Sequence, residues 1–202
     1  MKHQLRRALY IAASAALATA LLPLRAHAAT SDSATVAVTA TVQPKITITV
    51  NDKGSDTADF GNVDPSGTTV SGQVSAVDSS GTGAYYFLTS PYTVLVRSNK
   101  AWTGSISASN TGSAANMTIS NGALKWAAAA WPGTPSFATG DGAQAVAASP
   151  ASGQDPGGFV TGSAHSSGTF SSSYYFALRT LWSDGDAGKT FGSTITFTAT
   201  QG

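Results

Sequence analysis

Residues 35 to 50 hold one alternation for sixteen positions. Val36, Val38, Ala40, Val42, Ile46, Ile48 and Val50 share one phase; Thr35, Thr39, Thr41, Gln43, Lys45, Thr47 and Thr49 share the other. Period two in β-branched residues marks a half-buried strand, because successive side chains point to opposite faces of a sheet. At ~3.3 Å per residue the run reaches about 50 Å, whereas ordinary strands hold about five or six residues. A strand that long overshoots a domain of this size unless it bends or extends into a neighbour. Pro44 lacks an N–H and sits in the apolar phase, so it marks an edge or a change of sheet.

The rest of the chain reads the same way. Asn51-Asp52-Lys53-Gly54 and Asp64-Pro65-Ser66-Gly67 are turns, with a short strand at Asp59–Val63 between them. Val70–Val77, Tyr85–Leu88, Tyr92–Arg97 and Ala101–Ala108 alternate or carry β-rich runs, and Pro91 separates the second from the third. Met117–Ile119 and Ala123–Trp126 predict a hairpin about Asn121-Gly122. Tyr174–Trp182 is apolar on both faces, as a central strand should be, and Ser193–Ala199 closes the chain with Ile195, Phe197 and Ala199 against threonines. About eight to ten strands without a convincing helix predict an all-β, antiparallel, jelly-roll-like β-sandwich.

Composition narrows the functions available. The chain has no cysteine, eleven Lys+Arg and ten acids, every acid an Asp, and Ala, Gly, Ser and Thr exceed half of it. Thiol chemistry, disulfides and Cys-ligated metals are excluded. The near-zero net charge excludes a strongly basic nucleic-acid binder.

The first residues have the three parts of an export signal. Lys2, Arg6 and Arg7 precede an Ala/Leu-rich run to Leu22, and Ala26-His27-Ala28 offers small residues for cleavage after Ala28. Residues 1–28 are therefore expected to be removed. Residues 29–202 are expected to form one secreted domain, extracellular or at the cell surface, with no membrane segment of its own. Without Lys2, Arg6, Arg7 and Arg25 the chain keeps seven bases against ten Asp, a net charge of about −3. Copies of such a surface repel one another little, which favours assembly. Residues 127–158, rich in Ala, Gly and Pro, read as a long surface insertion, with a short strand near Ala145-Val146.

Few residues carry chemistry. Nearly all the Asp residues lie in turn contexts, where the carboxylate bonds its own downstream backbone. His165 is the one histidine beyond the leader, and no serine stands in a Gly-x-Ser-x-Gly elbow. No enzyme and no cofactor are expected. Asp184-Gly185-Asp186 has the Asp-x-Asp spacing of a calcium loop, but it lacks the further acid and the bidentate Glu. Arg179 is expected to pair with an Asp or to carry its head to the rim. Trp102, Trp126 and Trp182 stand in strand contexts as core rings. Trp131, before Pro132 in the insertion, is the best candidate to stack on a ligand.

The leader, the alternating arm SATVAVTATVQPKITITV, then DFGNVDPSGTTVSGQVSAV, YTVLVRSNKAWTGSISAS and the closing TITFTATQG follow one another in a telling order. This layout resembles the TasA/camelysin type of biofilm-fibre subunit and the related bundling pili. The resemblance implies a jelly-roll sandwich and assembly by donated strands. A second resemblance, to WxL-type cell-surface proteins, is carried by Trp102 and Leu181-Trp182; Gly104 stands where that motif has Leu. The expected function is that of a non-catalytic structural subunit of an extracellular fibre or surface layer. Its partner would be its own copies, and residues 29–43, with Val36, Val38, Ala40 and Val42, would be the arm. The alternative is a carbohydrate- or cell-wall-binding module using Trp131 and Tyr85-Tyr86.

Overall fold

The computed structural model describes residues 36–68, 73–132 and 144–202. The leader, the first part of the arm, residues 69–72 at the start of the Val70–Val77 run, and residues 133–143 of the insertion lie outside them. The chain divides between Thr41 and Val42, and the fold is that of residues 42 onward.

Nine strands are present among the described residues: β1 Ile46–Val50, β2 Gln73–Val77, β3 Gly83–Leu88, β4 Tyr92–Ser98, β5 Trp102–Asn110, β6 Leu124–Ala127, β7 Gln144–Ala145, β8 Gly168–Leu181 and β9 Ser193–Gln201. Every pairing is antiparallel. The architecture is all-β and sandwich-like, with no α-helix among the described residues.

β8 organises the larger sheet. Phe87 pairs with Ala177 and Tyr92 with Tyr174, so β3 and β4 lie end to end along β8. The residues from Leu88 to Pro91 face only Tyr175 and Phe176, which forms a bulge where Pro91 has no N–H to give. β2 flanks β3, β1 flanks β4, and β6 takes the other edge of β8 and pairs in turn with β7. Because β8 has neighbours on both sides and cover on both faces, its apolar residues need not alternate. Tyr174, Phe176 and Leu178 enter the main core, and Ala177 enters a smaller cluster with Tyr85 and Phe87.

β5 and β9 form a separate two-stranded sheet. Trp102, Ile106 and Ala108 are its buried residues, and Ile195, Phe197 and Ala199 pack beside them at the margin of the core. The threonines of β9 at 194, 196, 198 and 200 all face solvent.

Several sequence expectations need correction. The alternation of residues 35–50 yields a ladder only at Ile46–Val50. Residues 36–45 belong to no strand. Asp59–Val63 and Met117–Ile119 are irregular. At Asn121-Gly122 the turn forms, with Gly122 N–H donating to Ile119 O at 2.9 Å, but Leu124 onward pairs with β8 rather than back on Met117. Of the two expectations for Arg179, pairing with an Asp is not seen among the described residues; its Nη2 donates instead to the exposed Asn121 O at 2.5 Å.

Trp182 is the clearest miss. It is 63% exposed. β8 ends at Leu181, whose N–H donates to Asp184 Oδ2 at 2.8 Å, and residues 182–184 curl into a short 3-10 turn. The curl takes the indole out of the sheet.

Candidate assembly site

The arm is the first component. Val36, Val38 and Val42 are 86%, 89% and 80% exposed, and Ala40 is exposed with them. A row of apolar side chains at period two, free of any ladder, is the pattern of a strand without a sheet. Its root is held firmly. Asn99 Nδ2 donates to Gln43 O at 2.8 Å and Asn99 Oδ1 accepts from Lys45 N–H at 2.8 Å. Gln201 Nε2 donates to Lys45 O at 2.9 Å.

A groove of about 1140 Å³ is the second component. Residues 54–65 form one wall and residues 184–197 the other, with Tyr174, Phe176 and Leu178 of β8 among the apolar residues between them. Ile48 and Val50 reach it but Ile46 does not; Ser193 to Phe197 reach it but Ala199 does not. The groove therefore lies at the end of β1 and β9 away from the clamp on Gln43 and Lys45. Exposed Trp182 stands at its margin.

Most aspartates among the described residues are engaged in local structure. Asp59, Asp64, Asp78 and Asp155 each accept from the backbone N–H two residues on, at 2.7, 2.7, 3.3 and 2.9 Å. Asp186 does more. Its carboxylate accepts the N–H groups of Ala115, Asn116 and Met117 at 2.9, 2.9 and 2.7 Å, tying the loop after β5 to the loop after β8. Asp184 accepts from Leu181, and its carbonyl accepts from Asn116 Nδ2 at 2.6 Å. Asp186 thus accepts with both carboxylate oxygens and Asp184 with one, and among the described residues no group of three His or Asp is placed to hold a metal.

Asp186 supplies a test. The bonds from Met117 and then Ala115 hold its carboxyl below the ordinary aspartate value of 3.8. A carboxyl with a lowered folded pKa stabilises the fold above its unfolded value, and that contribution disappears as the pH falls through the folded one. The amides of residues 115–117 should therefore lose protection from exchange below about pH 3.8, and Asp186→Asn should remove the acid dependence. Protection unchanged from neutrality down to acid would contradict the latch.

The aromatic candidates occupy distinct places. Trp131 is half-buried on the outer face of the larger sheet, edge-on to Phe87 at 5.0 Å between centroids. Tyr85 and Tyr86 are buried and have no face to offer a sugar. His165 stacks on Trp102 at 4.1 Å and 13°, and its Nε2 lies 2.9 Å from Phe159 O, so the Gly/Ser-rich run holding it is anchored.

No family model, curated protein or solved structure matches the chain. The groove had no sequence signal: it follows from which strands meet, and residues 54–65 have no periodicity that would assign them to a wall; the exposure of Trp182 follows from the curl after Leu181.

Proposed function

We propose that this is a non-catalytic secreted structural protein, a subunit of an extracellular fibre or surface layer that assembles by donating a β-strand. The observation that carries the reading is the arm: alternate apolar side chains, exposed and unpaired, ahead of a clamped root and a folded domain. An exposed valine row costs solvation in the monomer and gains about 25 cal/mol per Å² when covered. An extended segment of this kind completes a sheet by main-chain hydrogen bonds, with alternate side chains setting register. Each subunit would give one arm and take one. Such a head-to-tail contact does not close, so it propagates. The export signal and the low surface charge support the same reading.

Chain lacking residues 1–28 should form filaments visible by electron microscopy. Deleting residues 29–42 as well should give a soluble monomer with its β spectrum intact. A full arm that leaves the protein monomeric at high concentration would overturn the proposal.

A second reading, binding to polysaccharide or cell wall, is favoured by one observation, the exposed indole of Trp182 at the margin of the groove. Retention on insoluble glycans that Trp182→Ala abolishes would support it.

A further inference from the structure

We propose that the arm of a second copy, residues 36–43, pairs with the outer edge of β9 and lays Val36, Val38, Ala40 and Val42 into the groove beside it. The proposal rests on the strand-donation reading and names the acceptor.

The first argument is the direction of the β9 backbone. Thr111 N–H donates to Gly192 O and Gly202 N–H to Ala101 O, at the two ends of the β5–β9 ladder. In an antiparallel pair, hydrogen-bonded residues alternate with unbonded ones. Gly192, Thr194, Thr196, Thr198 and Thr200 therefore face β5. Ser193, Ile195, Phe197, Ala199 and Gln201 turn their N–H and C=O groups the other way. Among the described residues no strand pairs with that edge. An unpaired row of main-chain donors and acceptors is a template for another strand.

The second argument is the side-chain phase. Ile195, Phe197 and Ala199, the residues with outward-facing backbone groups, pack their side chains against the core. A strand added beside them continues the same inner face over the groove. The arm has one apolar face to put there, and its Thr39 and Thr41 would extend the row of β9 threonines on the outside. The stretch of that edge beside the groove, Ser193 to Phe197, spans about 17 Å, within the about 26 Å that residues 36 to 43 can reach.

The third argument selects a second copy over the chain's own arm. The groove lies at the end of β1 and β9 away from the clamp, so an arm reaching it in the same chain must reverse at Gln43-Pro44. The groups needed for that reversal, Gln43 O and Lys45 N–H, are both bound to Asn99. An arm from another molecule needs no reversal.

The chain has no cysteine, so single introduced thiols report pairing directly. Chains lacking residues 1–28 and carrying Thr39→Cys are mixed with chains carrying Thr196→Cys, both solvent-facing, and oxidised. The expected result is a disulfide-linked pair, absent when Thr196→Cys is replaced by Ser171→Cys on β8. Ile195→Pro removes one outward N–H and leaves the β5 ladder whole, so it should abolish filaments while the β spectrum stays. Filaments without the disulfide between arm and β9 would overturn the acceptor and leave strand donation standing. No filaments and no disulfide would overturn both. A disulfide formed within monomers by the double variant, and not between mixed single variants, would assign the groove to the chain's own arm and overturn the second copy.

Discussion

Trp102→Ala is expected to cost about 3–5 kcal/mol of folding stability, a large part of the about 5–15 kcal/mol a domain commonly has. The residue is 1% exposed at the start of β5. Its ring stacks on His165, meets Phe159 at 5.4 Å, and takes Phe170 edge-on at 5.6 Å. Three elements thus converge on one side chain: the β5–β9 sheet, the loop around Phe159, and the first half of β8. The main chain does not share in the loss. Trp102 N–H donates to His165 O at 3.1 Å and His165 N–H returns to Trp102 O at 2.7 Å, and alanine keeps both bonds. What goes is packing, with a cavity that the surrounding rings cannot fill because they already hold one another. Urea unfolding should show the midpoint fall with an unchanged slope. Trp182→Ala, at the exposed tryptophan, is the reference; a Trp102 effect no larger than that one would contradict this account of the core.

The contrast between those two tryptophans also marks what the sequence could tell. Strand positions with a strict period were legible: Ile195, Phe197 and Ala199 against threonine, Val94 and Val96 in β4, and the doubly apolar centre of β8. In each case one local fact, which face is apolar, settles the matter. Trp182 follows directly on such a run, and the run alone extends the strand through it. The strand ends instead at Leu181 because Asp184, three residues on, captures the Leu181 N–H. The arm shows the same limit from the other side. Its alternation is as regular as that of β1, yet no ladder forms before Pro44, since a strand also requires an edge to pair with. Periodicity states what a segment can bury and is silent on whether a partner is there. The unpaired edge of β9 was out of reach for the same reason: it depends on β5 pairing with one side and no described strand pairing with the other.

Gly104→Leu is expected to prevent folding, and Gly104→Ala to cost about 3 kcal/mol, the upper end of the usual penalty for overpacking. The position faces inward from β5 between Trp102 and Ile106, where a large apolar residue would suit the period. A Cβ there would lie 2.1 Å from Phe159 O and 2.8 Å from its ring. Neither can withdraw. Phe159 is fully buried, with edge-to-face contacts to Phe170 and Phe197. Its loop is fixed by the Asp155 carboxylate, which accepts from Gly157 and Val160 N–H at 2.9 and 2.8 Å. The glycine is required by close approach of a neighbouring backbone, and its own conformation is ordinary for a strand, so the cost is steric alone. The Trp-x-Leu triplet of WxL-type proteins, which Trp102-Thr103-Gly104 matches in its first residue, cannot be completed here with Phe159 in place. Phe159→Ala separates the causes. It removes the ring clash and leaves the carbonyl, so if the backbone contact dominates, the double variant Phe159→Ala, Gly104→Ala should be no more stable than the two losses added together. Recovery of stability in the double variant would shift the cause from the Phe159 carbonyl to its ring.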